Sequence, residues 1–275
     1  MDENTQRKVI RERYGSIARD EAPGPGCGCT PQGEGLTPLT IGQTIGYGKQ
    51  ELKLAPEEAN LGLGCGNPTA MANLREGETV LDLGAGGGLD CFLAARVVGP
   101  TGKVIGVDMT PDMVERARRA ARAGGYENVE FRLGEIEALP AADSSVDVVI
   151  SNCVVNLSPA RTRVFAEVLR VLRPGGRLLI SDPISSLPTP PFLRESTDAI
   201  VGCLPVLETE YLEGLEAVGM VDVSIVDERP YRADILAEDA TIKSHLADHP
   251  EEKDEILGFI ASIRSGTIQG FKPSP

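Results

Sequence analysis

The sequence contains no tryptophan, only two histidines among its 275 residues, and aromatic residues make up only 4% of it. The core must therefore consist mainly of aliphatic side chains, which the 41% content of hydrophobic residues can supply. Basic residues are also few, 27 against 41 acidic ones, so the net charge is −14. Because nucleic acids and anionic membranes are bound by clustered Lys and Arg, this balance argues against both as partners.

Long apolar runs are absent as well, so no segment has the length of a transmembrane helix. The N-terminal stretch MDENTQRKVIRERYG is too polar to be the core of a signal peptide. We therefore expect a cytoplasmic protein that does not associate with a membrane and whose cysteines stay reduced. There are six of them, which are Cys27, Cys29, Cys65, Cys91, Cys153 and Cys203.

Strand and helix patterns alternate from residue 79 onwards. Seven strands are predicted, at 79–84, 103–108, 129–134, 146–152, 177–182, 221–228 and 267–272. Helices are predicted at 3–20, from the glycine-rich turn to about Val98, over RTRVFAEVLRVLRPGG with its Pro-Gly-Gly as the end, and near 209–218. A further helix is predicted after the second strand, with Thr110 as its N-cap, Pro111 at its first position and Gly124 as its stop. The fold class is therefore α/β, a doubly wound, seven-stranded and mostly parallel sheet. We expect three regions: an N-terminal helix with a cysteine-bearing lid segment (1–74), a ligand-binding domain (75–185), and a second lid with C-terminal strands and helices that complete the sheet (186–275).

A glycine-rich turn follows the first strand in the stretch VLDLGAGGGLDC. Gly84 and Gly86 there allow the backbone to approach a ligand closely. Asp108 ends the second strand, where an acid can accept both hydroxyls of a ribose. Asp82 precedes the turn and suits the cationic amino end of a ligand better than a pyrophosphate. Glu135 ends the third strand, in position to accept from an adenine amino group.

This order and spacing resemble the class I S-adenosylmethionine-dependent methyltransferases over about residues 75–185. The resemblance implies S-adenosylmethionine as the cofactor. It also implies a set of contacts: Gly84 and Gly86 at the methionine part, Asp108 at the ribose, Met109, Glu135 and Ile136 at the adenine, and Asn152 and Cys153 at the reactive sulfonium end.

Three of the cysteines fall in segments that surround such a cofactor. Cys153 ends the fourth strand in VVISNCVVNLS, Cys65 lies in LGLGCGNPTA before the first strand, and Cys203 lies in IVGCLP after the fifth. Segments before the first strand and after the fifth commonly form the lid of this fold, so the three thiols can converge above the methyl group. Cys91 lies in a helix and is interpreted as a small buried hydrophobe.

A zinc site is the alternative for such a cluster. Zinc usually binds closely spaced cysteine pairs with four ligands, whereas these three cysteines are far apart in the chain. We interpret His245 and His249, on an acidic C-terminal segment, as surface residues. Three thiolates suit a soft, trigonal centre such as trivalent arsenic, whose lone pair can attack a methyl group held in line.

Over nearly its whole length the chain then resembles the arsenite S-adenosylmethionine methyltransferases. The resemblance rests on RERYGSIA, NLGLGCGNPTA, GVDMTPDMVERAR, GEIEALP, VISNCVVNL and VLRPGGRLLISD. It implies that Cys65, Cys153 and Cys203 bind arsenic and that an N-terminal cysteine, Cys29 or Cys27, assists. Arsenite or its thiol adducts would be the substrate, and glutathione or thioredoxin the reductant.

The expected reaction needs no general base, because a lone pair is the nucleophile. Methyl transfer oxidises the arsenic by two electrons, which Cys65 with Cys29 or Cys27 would return by forming a disulfide. Two alternatives remain open from the sequence. One is a methyltransferase acting on carbon or oxygen of an organic molecule, and the other is a noncatalytic metalloid-binding protein.

Overall fold

The computed structural model describes residues 1–21, 37–230 and 240–274, except for the side chains of Asp198 and Ala240. Twelve α-helices lie in these ranges: α1 Glu3–Ala18, α2 Pro38–Thr44, α3 Lys49–Leu52, α4 Pro68–Met71, α5 Leu89–Val98, α6 Pro111–Gly124, α7 Arg161–Val171, α8 Pro191–Glu195, α9 Thr197–Val201, α10 Glu208–Ala217, α11 Ala240–Asp248 and α12 Lys253–Ala261. In these same ranges, no helix is both long and apolar enough to cross a membrane.

A single sheet organises the described chain. Its strands are β1 Thr79–Leu83, β2 Lys103–Asp108, β3 Val129–Leu133, β4 Val146–Asn152, β5 Leu172–Ser185, β6 Val206–Leu207, β7 Val221–Pro230 and β8 Ile263–Phe271. Seven of them follow the order β3-β2-β1-β4-β5-β8-β7, and the two-residue β6 pairs with β5. The five neighbouring strands β3, β2, β1, β4 and β5 are parallel to one another, while β8 is antiparallel to both β5 and β7. The predicted fold class is confirmed.

The core lies on both faces of the sheet because its central strands are apolar throughout. Successive residues of β1 point to opposite faces, so Val80 packs with Phe92 of α5 on one side, whereas Leu81 packs with Val164 of α7 on the other. Helices α5 and α6 cover the first face, and α7 and α10 cover the second. This arrangement leaves the carboxyl ends of the parallel strands open to a ligand.

Two helix ends differ from the sequence prediction. Helix α6 begins as predicted, with Thr110 before Pro111, but its left-handed cap is Gly125 at φ +67° rather than Gly124. Helix α7 was predicted to continue to the Pro-Gly-Gly at 174–176, yet it ends at Val171, and Leu172 already pairs with β4. Pro174, two residues after the cap Leu172, has no N–H to continue the helix and disfavours helical backbone at Arg173, so the helix ends ahead of it.

Candidate active site

A cleft of about 1110 Å³, counted to its open mouth, lies at the carboxyl ends of β1, β2 and β4. Its lining combines apolar side chains with a few acidic and amide groups, as is common in small-molecule sites. Its lining contains every residue predicted to contact the cofactor except Glu135, namely Asp82, Gly84, Gly86, Asp108, Met109, Ile136, Asn152 and Cys153. Helix α1 closes one side of the cleft with Arg7, Ile10 and Tyr14.

The glycine turn after β1 forms the floor of the cleft. Gly84, Gly86 and Gly88 have backbone φ values of +65°, +51° and +92°, which residues other than glycine rarely adopt. A Cβ on Gly84 would also lie 2.5 Å from the methyl carbons of Val154. Only glycine therefore keeps the backbone this close to the space where a ligand lies.

The carboxylate of Asp108 is fixed at the end of β2. One oxygen accepts from the backbone N–H of Gly86 at 2.9 Å, and the other accepts from that of Thr110 at 2.8 Å. Burial raises the pKa of Asp108 in spite of these bonds. Because each carboxylate oxygen has a further lone pair, the group can still accept from two ligand hydroxyls.

Two further acidic residues, Asp82 and Asp90, lie deeper in the cleft than Asp108. The Tyr47 hydroxyl donates to Asp90 at 2.7 Å, and the Cys91 thiol donates to Asp82 at 3.2 Å. Burial, followed by repulsion from Asp90, holds the pKa of Asp82 well above its usual range, and burial raises the pKa of Asp90 to about 6. Neither has a basic partner among the described residues, so the pair favours a cationic ligand.

Asp90 and Tyr47 were not predicted from the sequence. Asp90 lies two residues after Gly88, so its position in the glycine motif was a signal for a role at the ligand. Tyr47 gave no such signal, because it meets Asp90 only through folding, from 43 residues away in the chain.

The end of the cleft that was predicted to receive the adenine differs in one respect from the sequence prediction. Ile136 and Glu137 line it, whereas Glu135 turns toward helix α1. There the Glu135 carboxylate pairs with Arg11 at 3.3 Å and with Arg7 at 3.6 Å. Acceptance by Glu135 from an adenine amino group stays a prediction, and in this arrangement the carboxylate is already bound to two guanidinium groups.

Three cysteines meet beside the cleft. Cys65, Cys153 and Cys203 belong to one buried cluster with Ile10 and Leu157. Cys65 and Cys153 are joined by a disulfide, with Cα atoms 5.5 Å apart, and the Cys203 thiol donates to the carbonyl of Cys153 at 3.3 Å. Cys153 and Cys203 both have left-handed backbone, at φ +59° and +60°, which is uncommon for cysteine. Their backbone is thus held in an unfavourable conformation by the surrounding contacts.

The described residues contain a bond between Cys65 and Cys153, whereas the redox step was predicted to pair Cys65 with Cys29 or Cys27. Cys29 and Cys27 lie outside the described residues. Their assignment stays a prediction.

The remaining cysteine and the histidines lie away from the three-thiol cluster. Cys91 is fully buried in α5 and packs within the core on that face of the sheet, where burial raises its pKa well above the usual range. His249 is exposed, but His245 is partly buried and stacks on Phe192 with ring centroids 3.7 Å apart. The interpretation of His245 as a surface residue was therefore only partly right.

The doubly wound sheet, the glycine turn and the acid at the end of β2 define an S-adenosylmethionine-dependent methyltransferase, and a family model described as a methyltransferase domain matches residues 74–204. An arsenite methyltransferase from Halobacterium salinarum is 42% identical over 99% of this chain and 68% of its own length. The chain belongs to the arsenite methyltransferase family, as its sequence predicted.

Two further relatives support this assignment. An arsenite methyltransferase from Aquipseudomonas alcaligenes is 36% identical over 80% of this chain and 62% of its own length. The crystal structure of an arsenic(III) S-adenosylmethionine methyltransferase from Chlamydomonas reinhardtii matches 86% of this chain and 74% of that one, with 29% identity and a TM-score of 0.62. The chain thus spans roughly two thirds of the length of the two curated relatives.

Proposed function

We propose that this protein transfers the methyl group of S-adenosylmethionine to trivalent arsenic and so serves arsenic detoxification. The acceptor is first arsenite and then methylarsenite. The observation that carries the proposal is the convergence of Cys65, Cys153 and Cys203 in one buried cluster beside an acid-lined cleft. Soft thiolates bind trivalent arsenic strongly. Other methyltransferase substrates do not require three thiols.

The cleft fits the cofactor chemically. When bound, S-adenosylmethionine supplies a methyl group on a positively charged sulfur. The backbone around Gly84 and Gly86 would receive its methionine part, and Asp108 its ribose hydroxyls. Asp82 and Asp90 have no basic partner among the described residues, so a cation in the cleft would relieve the cost of their burial.

The thiols supply both the binding site and the electrons. Arsenic replaces its oxygen or thiol ligands by protein thiolates and then uses its lone pair as the nucleophile, so no general base is needed. Methyl transfer raises the oxidation state of arsenic by two, from trivalent to pentavalent. Two thiols return these electrons by forming a disulfide, which glutathione or thioredoxin then reduces. A disulfide such as Cys65–Cys153 must be reduced before both sulfurs can bind arsenic, which is consistent with a cytoplasmic location.

The division into lids and a central domain is also a proposal. Residues 1–74 contribute Ile10 and Cys65 to the thiol cluster, and residues 186–275 contribute Cys203. The cofactor cleft is formed mainly by residues 75–185. Closure of the two outer segments over the central domain would exclude water from the reacting arsenic.

Product analysis with cysteine variants tests the proposed function. The protein is incubated with arsenite or methylarsenite, excess thiol and S-adenosylmethionine, and the methylated arsenicals are separated and quantified. We expect Cys153→Ser and Cys203→Ser to abolish methylation of both substrates, because a serine oxygen does not replace a thiolate for a soft centre. Cys65→Ser should impair arsenite more than methylarsenite, since methylarsenite needs only two thiolates.

Cys91→Ser is the matched control and should keep its turnover per folded molecule, because serine retains a donor toward Asp82. The proposed function is wrong if the unaltered protein forms no methylated arsenic, or if Cys153→Ser retains substantial activity. Methylation of an organic acceptor that survives Cys153→Ser would instead indicate a carbon or oxygen methyltransferase.

A further inference from the structure

Two asparagines flank Cys153 in the stretch SNCVVNL, and the amides of both are bonded to other protein groups. Asn152 immediately precedes the cysteine, and Asn156 follows it by three residues. Asn152 borders the cleft, but its amide bonds to protein groups, and Asn156 is buried outside the cleft lining. The partners of the two amides are the segments that carry the other two thiols.

Asn152 binds the loop that carries Cys65. Its side-chain oxygen accepts from the backbone N–H groups of Cys65 and Gly66, at 2.8 and 3.3 Å. Its amide nitrogen donates to the carbonyl of Gly66 at 2.8 Å, and also to Tyr47 and Asp90. The side chain thus uses donor and acceptor together, as a neighbouring strand would, and spans 87 residues of sequence to reach Cys65.

The glycines on both sides of Cys65 reflect this close approach. A Cβ on Gly64, whose φ is +122°, would lie 3.0 Å from both polar atoms of the Asn152 amide. A Cβ on Gly66 would lie 2.8 Å from the Cβ of Ser181 on β5. Larger residues would therefore lift the loop away from Asn152 and from the sheet.

Asn156 binds the segment that carries Cys203. Its amide nitrogen donates to the carbonyl of Leu204, the residue after Cys203, at 3.1 Å, and to that of Pro183 at 2.6 Å. Its own backbone N–H donates to the carboxylate of Asp182 at 3.2 Å. Asn156 therefore ties the turn that carries Cys153 both to β5 and to the lid segment after it.

We propose that Asn152 and Asn156 are the positioning residues that assemble the thiol site, with Asn152 holding the Cys65 loop and Asn156 holding the Cys203 segment, each against Cys153. One short turn thereby brings together three thiols that are far apart in the sequence. The consequence for arsenic rests on the proposed function, whereas the spacing of the thiols is measurable without arsenic.

The variants are Asn152→Ala and Asn156→Ala, and Asn128→Ala is the matched control. Asn128 is also partly buried, and its amide donates to two backbone carbonyls, those of Ala95 and Gly99, outside the cleft lining. Asn128→Ala should lower the free energy of unfolding by a comparable amount without changing a contact of Cys65, Cys153 or Cys203. All three variants are compared as full-length proteins, after their folded fraction has been checked by circular dichroism.

The first measurement uses no arsenic. The proteins are equilibrated in glutathione redox buffers, and the fraction of the Cys65–Cys153 disulfide is quantified by mass spectrometry. We expect Asn152→Ala to lower the equilibrium constant for this disulfide by about five- to tenfold, the effect of losing one or two hydrogen bonds. Asn156→Ala and Asn128→Ala should stay within about twofold of the unaltered protein.

The second measurement counts the sulfurs bound to arsenic in the reduced proteins by X-ray absorption, together with the arsenite affinity. The unaltered protein and Asn128→Ala should show three sulfurs, whereas Asn156→Ala should show fewer and bind arsenite about five- to tenfold more weakly. Its affinity for S-adenosylmethionine, measured by calorimetry, should not change, because Asn156 does not line the cleft.

The two amides are not positioning residues if Asn152→Ala leaves the disulfide equilibrium unchanged and Asn156→Ala still binds arsenic through three sulfurs. The same conclusion follows if Asn128→Ala reproduces their losses. Failure of the unaltered protein to bind arsenite contradicts the proposed function instead, and the disulfide equilibrium then still decides the role of Asn152.

Discussion

Asp182 is a fully buried carboxyl that lies between the thiol-bearing turn and helix α10. Tyr211 donates to it at 2.8 Å and the backbone of Asn156 at 3.2 Å, yet burial raises its pKa to about 7. In the unfolded chain an aspartate titrates near pH 3.9. The folded protein therefore holds a proton that the unfolded chain releases between these two pH values, so the contribution of Asp182 to stability falls as the pH rises toward 7.

Asp182→Asn removes this titration while keeping an oxygen that can accept both hydrogen bonds. We expect the free energy of unfolding of the variant, relative to the unaltered protein, to increase between pH 4 and pH 7 by roughly 2–4 kcal/mol and to level off above pH 7. Urea unfolding at pH 5 and pH 8, with the thiols kept reduced, measures this difference. A difference that stays flat between these two pH values would contradict the expectation.

Asp90 gives a second pH dependence, in cofactor binding. Its pKa of about 6 arises from burial without a cation nearby, so a bound cation favours its ionised form. As the pH falls from 7 to 5, Asp90 gains a proton, and the affinity for S-adenosylmethionine should decrease. S-adenosylhomocysteine lacks the sulfonium charge and should lose less affinity. Calorimetry with both ligands tests this, and an equal loss for both would show that Asp90 does not respond to the sulfonium.

At the scale of secondary-structure elements, helix α1 belongs to the site although it precedes the sheet by about 60 residues. Ile10 is 2% exposed and packs against the three cysteines. Ile10→Ala would leave a cavity beside the thiols and should cost about 2–5 kcal/mol of packing, part of it as local release of α1. We expect lower methylation per folded molecule and faster hydrogen exchange in α1.

Ile268→Ala is the control variant for Ile10→Ala. Ile268 is fully buried in β8, so the substitution removes the same atoms from the core, away from the cleft. It should lower overall stability and leave methylation per folded molecule unchanged. Equal losses of activity in the two variants would mean that α1 contributes stability alone.

The elements were predictable from the sequence to the extent that local patterns determine them. The apolar strands, the start of α6 at Pro111 and the glycine turn all depend on neighbouring residues, and they were found. The pairing of Glu135 with Arg11 joins residues 124 apart, and that of Asn152 with Cys65 joins residues 87 apart. No local pattern carries such contacts, so the sequence did not indicate that Glu135 pairs with helix α1 or that Asn152 binds the Cys65 loop.

At the scale of the whole molecule, the net charge of −14 affects the binding of S-adenosylmethionine and of its demethylated product differently. S-adenosylmethionine has a net positive charge and is attracted to the acidic protein, whereas S-adenosylhomocysteine has no net charge. Long-range attraction raises association rates and is screened by salt. From about 0.01 M to about 0.15 M salt the screening length falls from about 30 Å to about 8 Å. The association rate of S-adenosylmethionine should therefore decrease several-fold, while that of S-adenosylhomocysteine should change little.

The same salt series distinguishes the two forms in which arsenic can reach the thiols. Free arsenite is uncharged at neutral pH, so its binding rate should not depend on salt. A glutathione adduct is anionic, is repelled by the acidic protein, and should bind faster as salt screens the repulsion. For free arsenite the rate is followed by the ultraviolet absorbance of new arsenic–sulfur bonds in the reduced protein, and for the adduct, whose arsenic already carries such bonds, by the release of glutathione. A binding rate for the adduct that falls with salt would show that local positive groups, such as Arg7 at the cleft, outweigh the net charge of the molecule.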